Sequence, residues 1–106
     1  MKRGFERSRL VLTAICAALW VAGEACAADV FRGGELYRRH CAQCHGDDGR
    51  PVMPTAPDFS RRERLLQPDP TLLQTLRAGK GAMPAYQGLL RDRDLLDVIA
   101  YLRTLQ

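Results

Sequence analysis

Cysteine and histidine are scarce in this 106-residue chain, which has four of the first and two of the second. Cys16 and Cys26 lie in an N-terminal segment argued below to be removed, so the remainder holds only Cys41 and Cys44, with His40 and His45. That is too few for a structural zinc site, which usually takes four Cys or His ligands. A thioredoxin-type thiol pair normally follows a strand in a βαβ unit, and no strand alternation is visible anywhere. No disulfide is expected, because both remaining cysteines are used by the motif described below. The single tryptophan, Trp20, also falls in the N-terminal segment. Long apolar runs are missing too. The best, Leu10 to Gly23, is fourteen residues long, against the roughly twenty that a helix needs to cross a bilayer. There is no repeat and no low-complexity tract.

Charge of one sign is also in short supply. The chain carries 16 Lys and Arg against 12 Asp and Glu. Four of the basic and two of the acidic residues lie before position 28, which leaves twelve against ten. So small an excess is poor support for nucleic-acid binding. The basic bias of the N-terminus has another reading. Lys2, Arg3, Arg7 and Arg9 precede the apolar run, and Ala25-Cys26-Ala27 has the small-x-small form of a cleavage site. Residues 1–27 are predicted to be a cleavable secretory signal peptide, cut after Ala27 or, as second choice, after Ala28. The exported product would work in the periplasm. An uncleaved anchor is the alternative. Lipid modification of Cys26 is disfavoured by the polar Glu24 before it.

What is present is Cys41-Ala42-Gln43-Cys44-His45, a Cys-x-x-Cys-His sequence. This is the attachment pattern of a c-type haem. Two thiols three positions apart each form a thioether to one porphyrin edge, and the next residue brings an imidazole to the iron. Residues 28–106 would form one small domain around one covalent haem c. A chain of that size buries little core on its own and usually needs a staple, a part the haem would fill.

The layout is helical. Asp29 can cap a helix running to Cys41 with Phe31, Leu36 and Tyr37, although Gly33-Gly34 would weaken it by roughly 1 kcal/mol each, a cost that suggests close packing. Gly46 to Pro68 reads as a loop wrapped on something. Asp69-Pro70 predicts an N-cap and first turn, with Leu72, Leu73 and Leu76 on one face until Gly79. Gly79 to Pro84 is a flexible stretch ending in a rigid corner. The last helix opens at Arg91 or Asp92, and Leu95, Val98, Ile99, Leu102 and Leu105 recur at helical spacing.

Gly33, Tyr37, Cys41 to Gly46, Pro57 twelve residues after His45, Met83-Pro84 and Asp97 to Leu102 together make the stretch from Asp29 to Leu105 resemble the class I cytochromes c. The resemblance implies an all-α fold with about three main helices around one haem. It also implies a carbonyl from Pro57 for the haem histidine and a distal iron ligand from Met83. The chain departs from the family in lacking a tryptophan after residue 27; Arg61, Arg62 or Arg64 could replace its contact to a haem propionate.

On that basis His45 and Met83 are the expected metal ligands, and Cys41, Cys44 and Pro57 complete the cofactor site. A thioether opposite an imidazole favours ferrous iron and raises the potential relative to two histidines. The implied function is one-electron transfer in a periplasmic respiratory chain, with redox proteins as partners, transient contact with membrane respiratory complexes and no catalysis. A haem-bearing subunit of a larger dehydrogenase or reductase is the alternative, and a ligand-binding haem protein with an open sixth site is a third. Met53, also followed by proline, is a decoy, since eight residues past His45 leave little length to round the porphyrin. His40 is expected at the surface. Arg77, Lys80, Arg91 and Arg93 are expected on a solvated face.

Overall fold

A computed structural model describes residues 26–105. The leader expected at 1–27 lies outside them except for Cys26 and Ala27, which are exposed and without regular structure. The elements are α1 (Val30–His40), α2 (Ala42–His45), a 3₁₀ turn (Phe59–Arg61), α3 (Asp69–Ala78) and α4 (Asp92–Leu102). Among the described residues no strand forms, and no helix is long and apolar enough to cross a membrane.

α1 starts where the sequence places it. Asp29 is extended, and its carboxylate accepts the Arg32 N–H at 3.0 Å, satisfying one of the free amides of the first turn. The two glycines then find their reason in α4, which crosses α1 in the most extensive helix pairing of the fold. A Cβ on Gly33 would lie 1.9 Å from the Asp97 carbonyl oxygen, and one on Gly34 would meet the Tyr101 ring at 3.0 Å. The propensity lost at these positions is offset by a crossing that brings backbone against backbone. Below the crossing, Tyr37 is fully buried, its ring 5.3 Å from that of Tyr101. The core continues through Leu36, Ala42, Phe59, Leu65, Val98 and Leu102.

α4 carries two buried acids on the face toward α1, Asp94 and Asp97. Asp94 closes a reciprocal cap with Arg91, accepting the Arg91 amide at 3.2 Å, and takes the Arg32 guanidinium at 2.6 Å. Hydrogen bonds from Arg91, with help from Arg32 and against burial, hold its pKa down at about 2. Arg91 lies on the solvated face expected, 76% exposed, while it makes this cap, and the half-buried Arg77 pairs with Asp92. α3 differs by one residue from the sequence reading. Pro68 takes the cap position and Asp69 is the first helical residue, because the Asp69 carboxylate is engaged by Arg103 from beyond α4 and caps nothing. Leu105 lies past the end of α4 but still packs on the core.

Two outcomes follow from this packing. Gly33→Ala must push α1 off α4 and is expected to cost more than about 3 kcal/mol. Gly81, at φ +57° with open space around it, should lose only about 1–2 kcal/mol on change to alanine, the ordinary penalty of left-handed backbone. Denaturant titration of the two variants compares them directly. For Asp94, the folded pKa lies below the unfolded value of about 3.9, so its contribution is present above that pH and is lost as pH falls toward 2. Asp94→Asn should cost about 1–2 kcal/mol at neutral pH, allowing for the solvent around the arginine heads. In acid titrations of stability, the gap between variant and parent should close between about pH 4 and pH 2.

Candidate haem site

The end of α1 delivers the Cys-x-x-Cys-His motif. The Cys41 N–H donates to the Tyr37 carbonyl at 2.8 Å, and the Cys41 carbonyl in turn accepts from the amides of Cys44 and His45 at 3.2 and 3.0 Å. The two cysteines thus flank one helical turn, three positions apart and on one face. Gly46 ends the turn at φ +77°, where a Cβ would sit 2.0 Å from the Arg50 carbonyl oxygen. The chain can reverse there only without a side chain. Its carbonyl accepts the buried Tyr37 hydroxyl at 2.6 Å, which locks the motif to the helix crossing.

The protonation states suit ligation and not thiol exchange. Burial, reinforced by Cys44, pushes the Cys41 thiol up to about 11. An exchange-active Cys-x-x-Cys needs the opposite, a depressed thiol. Burial lowers the pKa of His45, with the Pro57 carbonyl acting against it, so the imidazole is neutral and able to bind a metal. The ring stacks on Phe59 with centroids 4.5 Å apart, and its Nδ1 is buried without a hydrogen bond. The Pro57 carbonyl acts on this ring without closing a hydrogen bond of good geometry to Nδ1, and the other ring nitrogen is the one left for a metal. Among the described residues no three His, Cys, Asp or Glu side chains converge to hold a bare metal ion. Paired half-buried thiols on one helical turn and a neutral imidazole directly after them together fit a covalent haem.

Met83 approaches from the other end of the chain. Gly79 stops α3 at φ +73° because a Cβ there would lie 2.8 Å from the Met83 carbonyl oxygen. Lys80 and Met83 close a tight turn through reciprocal backbone bonds of 3.1 and 3.0 Å, and Tyr86 N–H returns to the Leu76 carbonyl at 3.0 Å. The Tyr86 hydroxyl then donates to the His40 carbonyl at 2.9 Å. This bond ties the methionine loop to the residue just before Cys41. Met53 is held differently, its N–H on the Cys44 carbonyl at 3.1 Å, within the loop that leaves the motif. His40 is half-buried, with its ring edge-on to Tyr86 at 6.2 Å, and is more than the surface side chain expected. Tyr86 and Phe59 went unrecognised in the sequence. The only signal for either was a buried aromatic close to Met83 or to Pro57.

Arg61, Arg62 and Arg64 are exposed, and two of them, Arg62 and Arg64, have left-handed backbone at φ +62° and +67°. Their place in a haem contact stays an expectation.

Residues 28–102 match the family model described as cytochrome c oxidase, cbb3-type, subunit III. Cytochrome c6 of Thermostichus vulcanus is 35% identical over 95% of this chain and 90% of its own. Cytochrome c6 of Synechococcus sp. (strain ATCC 27167 / PCC 6312) is 32% identical over 87% and 84%. The cytochrome c subunit of a quinone alcohol dehydrogenase from Gluconobacter oxydans is 30% identical over 67% of this chain but only 17% of that subunit. With the helical architecture and the haem motif, these matches place the chain in the small class I c-type cytochromes, as a one-electron carrier with one covalently bound haem c and not an enzyme.

Proposed function

We propose that the protein is exported through a signal peptide at residues 1–27 and carries single electrons in a periplasmic respiratory chain, with His45 and Met83 as the residues that would hold the iron of its haem. The observation that carries the ligand assignment is the Tyr86 tether, which brings the loop bearing Met83 back to the start of the haem motif. Cys41 and Cys44 would hold the porphyrin by thioethers. Pro57 would take the hydrogen bond of Nδ1, fixing the ring and leaving the other nitrogen for iron. The haem supplies an iron that passes between ferric and ferrous states. Held by both His45 and Met83, the iron would offer no open site to a substrate and would need little rearrangement on electron transfer. Partners would meet the protein transiently, including membrane respiratory complexes.

A second reading has one observation in its favour, the match to a short part of a dehydrogenase subunit. There the domain would serve inside a larger assembly. Gel filtration of the native protein separates the two, since a free carrier elutes as a small monomer.

The intact mass of the exported protein should equal the chain from Ala28 plus one haem, and the haem should survive acid-acetone extraction. An unmodified or untrimmed mass would contradict attachment or export respectively. Met83→Ala should abolish the weak red absorption of ferric iron bound to a thioether, lower the potential and open the ferrous iron to carbon monoxide. Met53→Ala should leave all three nearly unchanged. The reverse pattern would transfer the distal ligand to the loop after the motif.

A further inference from the structure

Asp97 is 1% exposed, yet only half of its carboxylate is satisfied. Oδ1 accepts the Asp29 N–H at 2.7 Å. Oδ2 is buried without a hydrogen bond; the nearest cation, Arg32, stands with Nε 3.6 Å away and gives its own hydrogen bond to Asp94 instead. A buried carboxylate oxygen without a donor is costly and seldom tolerated without a further partner. Asp97 lines a small open cavity together with Ala27, Ala28, Leu96 and Arg93, so the Ala27–Ala28 peptide bond lies beside it.

We infer that Asp97 is the receptor for the α-ammonium group of Ala28, an ion pair that exists only after the leader is removed. The inference rests on the export reading above. In that step water adds across the Ala27–Ala28 amide; the C–N bond breaks, Ala27 leaves as a carboxylate and the Ala28 nitrogen becomes an ammonium. One amide N–H is thereby replaced by a group with three donors and a positive charge, one residue before the amide that Asp97 already binds. Bonds of a charged donor to a carboxylate are about twice as strong as neutral ones. The pair would clamp the start of α1 onto α4 at the same residue whose carbonyl abuts Gly33. The other charged groups at this corner are Arg32 and the Asp29 carboxylate on the α1 side, and Arg91, Arg93 and Asp94 on α4. Arg32, Arg91 and Asp94 are already engaged with one another, and Asp29 with the Arg32 amide.

The test uses exported haem protein in the ferrous state. Intact mass fixes the first residue, and reductive ¹³C-methylation then labels the α-amine; Lys80 is the only lysine after residue 27 and the only other site labelled. In NMR titrations the terminal methyl resonance of the parent should report a pKa about one unit above that of Asp97→Asn. If Asp97→Asn fails to take up haem, carbamylation of the parent's α-amine, which removes its charge, should lower the denaturation midpoint; an unchanged midpoint overturns the pair. An uncleaved chain overturns the export reading and the pair with it. A chain cut elsewhere, or one that starts at Ala28 and titrates alike in parent and variant, overturns the pair alone.

Discussion

The contact of the Gly33 backbone with the Asp97 carbonyl is the constraint on which the rest of this small protein depends. A Cβ at Gly33 cannot be accommodated, so α1 and α4 meet at a distance set by main chain and not by side-chain volume. That distance puts Tyr37 and Tyr101 ring against ring and lets Val98 and Leu102 reach the interior. Because α1 ends at His40, its axis also fixes where Cys41 emerges. The Tyr37 hydroxyl then carries the crossing's position to Gly46, on the far side of the motif. The haem motif is therefore placed at both ends by one helix pair.

The chemistry of the motif follows from what that placement buries. Both thiols are held half-buried in a turn, and burial with Cys44 beside it keeps the Cys41 thiol neutral. The imidazole is likewise desolvated and neutral. In a water-filled cleft the same five residues would be open to thiol exchange or to protonation of the histidine. Here burial works against both, and leaves Cys41 and His45 in neutral forms suited to covalent and coordinate bonds. The surface charges play little part in this; several are paired among themselves, Arg77 with Asp92 and Arg91 with Asp94.

The features legible in the sequence are those encoded locally. The cap at Asp29, the apolar stripe of α4, the stop at Gly79 and the five-residue motif each depend on neighbours within a turn or two. What escaped depends on distant pairs. Arg32 and Asp94 are separated by 62 residues and Arg103 and Asp69 by 34, and no periodicity announces that they meet. The displaced start of α3 has the same cause, since Asp69 is a good N-cap by type but its carboxylate is claimed by Arg103. Gly33-Gly34 was legible as a cost and as a sign of close packing between the terminal helices; the Asp97 carbonyl that Gly33 meets was not. Tyr86 was hidden because its hydroxyl acts on a backbone carbonyl, which leaves no mark on residue choice at His40.

The two sides of the site differ in how they are held, and the difference bears on which one yields first. His45 is fixed by a helical turn, by Phe59 against its ring and by a motif anchored to the buried crossing. Met83 is on a turn whose backbone bonds are local or run to the end of α3, and the one side-chain bond from this loop to the rest of the fold that touches the motif is that of Tyr86. Burial raises the pKa of that phenol, so it remains a donor through the physiological range. Segments with few buried contacts and solvent-facing backbone open at lower free energy than the core. The methionine loop is the element of this kind at the site, and the histidine side is not. Local opening of the Met83 loop thus requires only the Lys80–Met83 turn and the Tyr86 bond to give way, while α1 and α4 stay crossed.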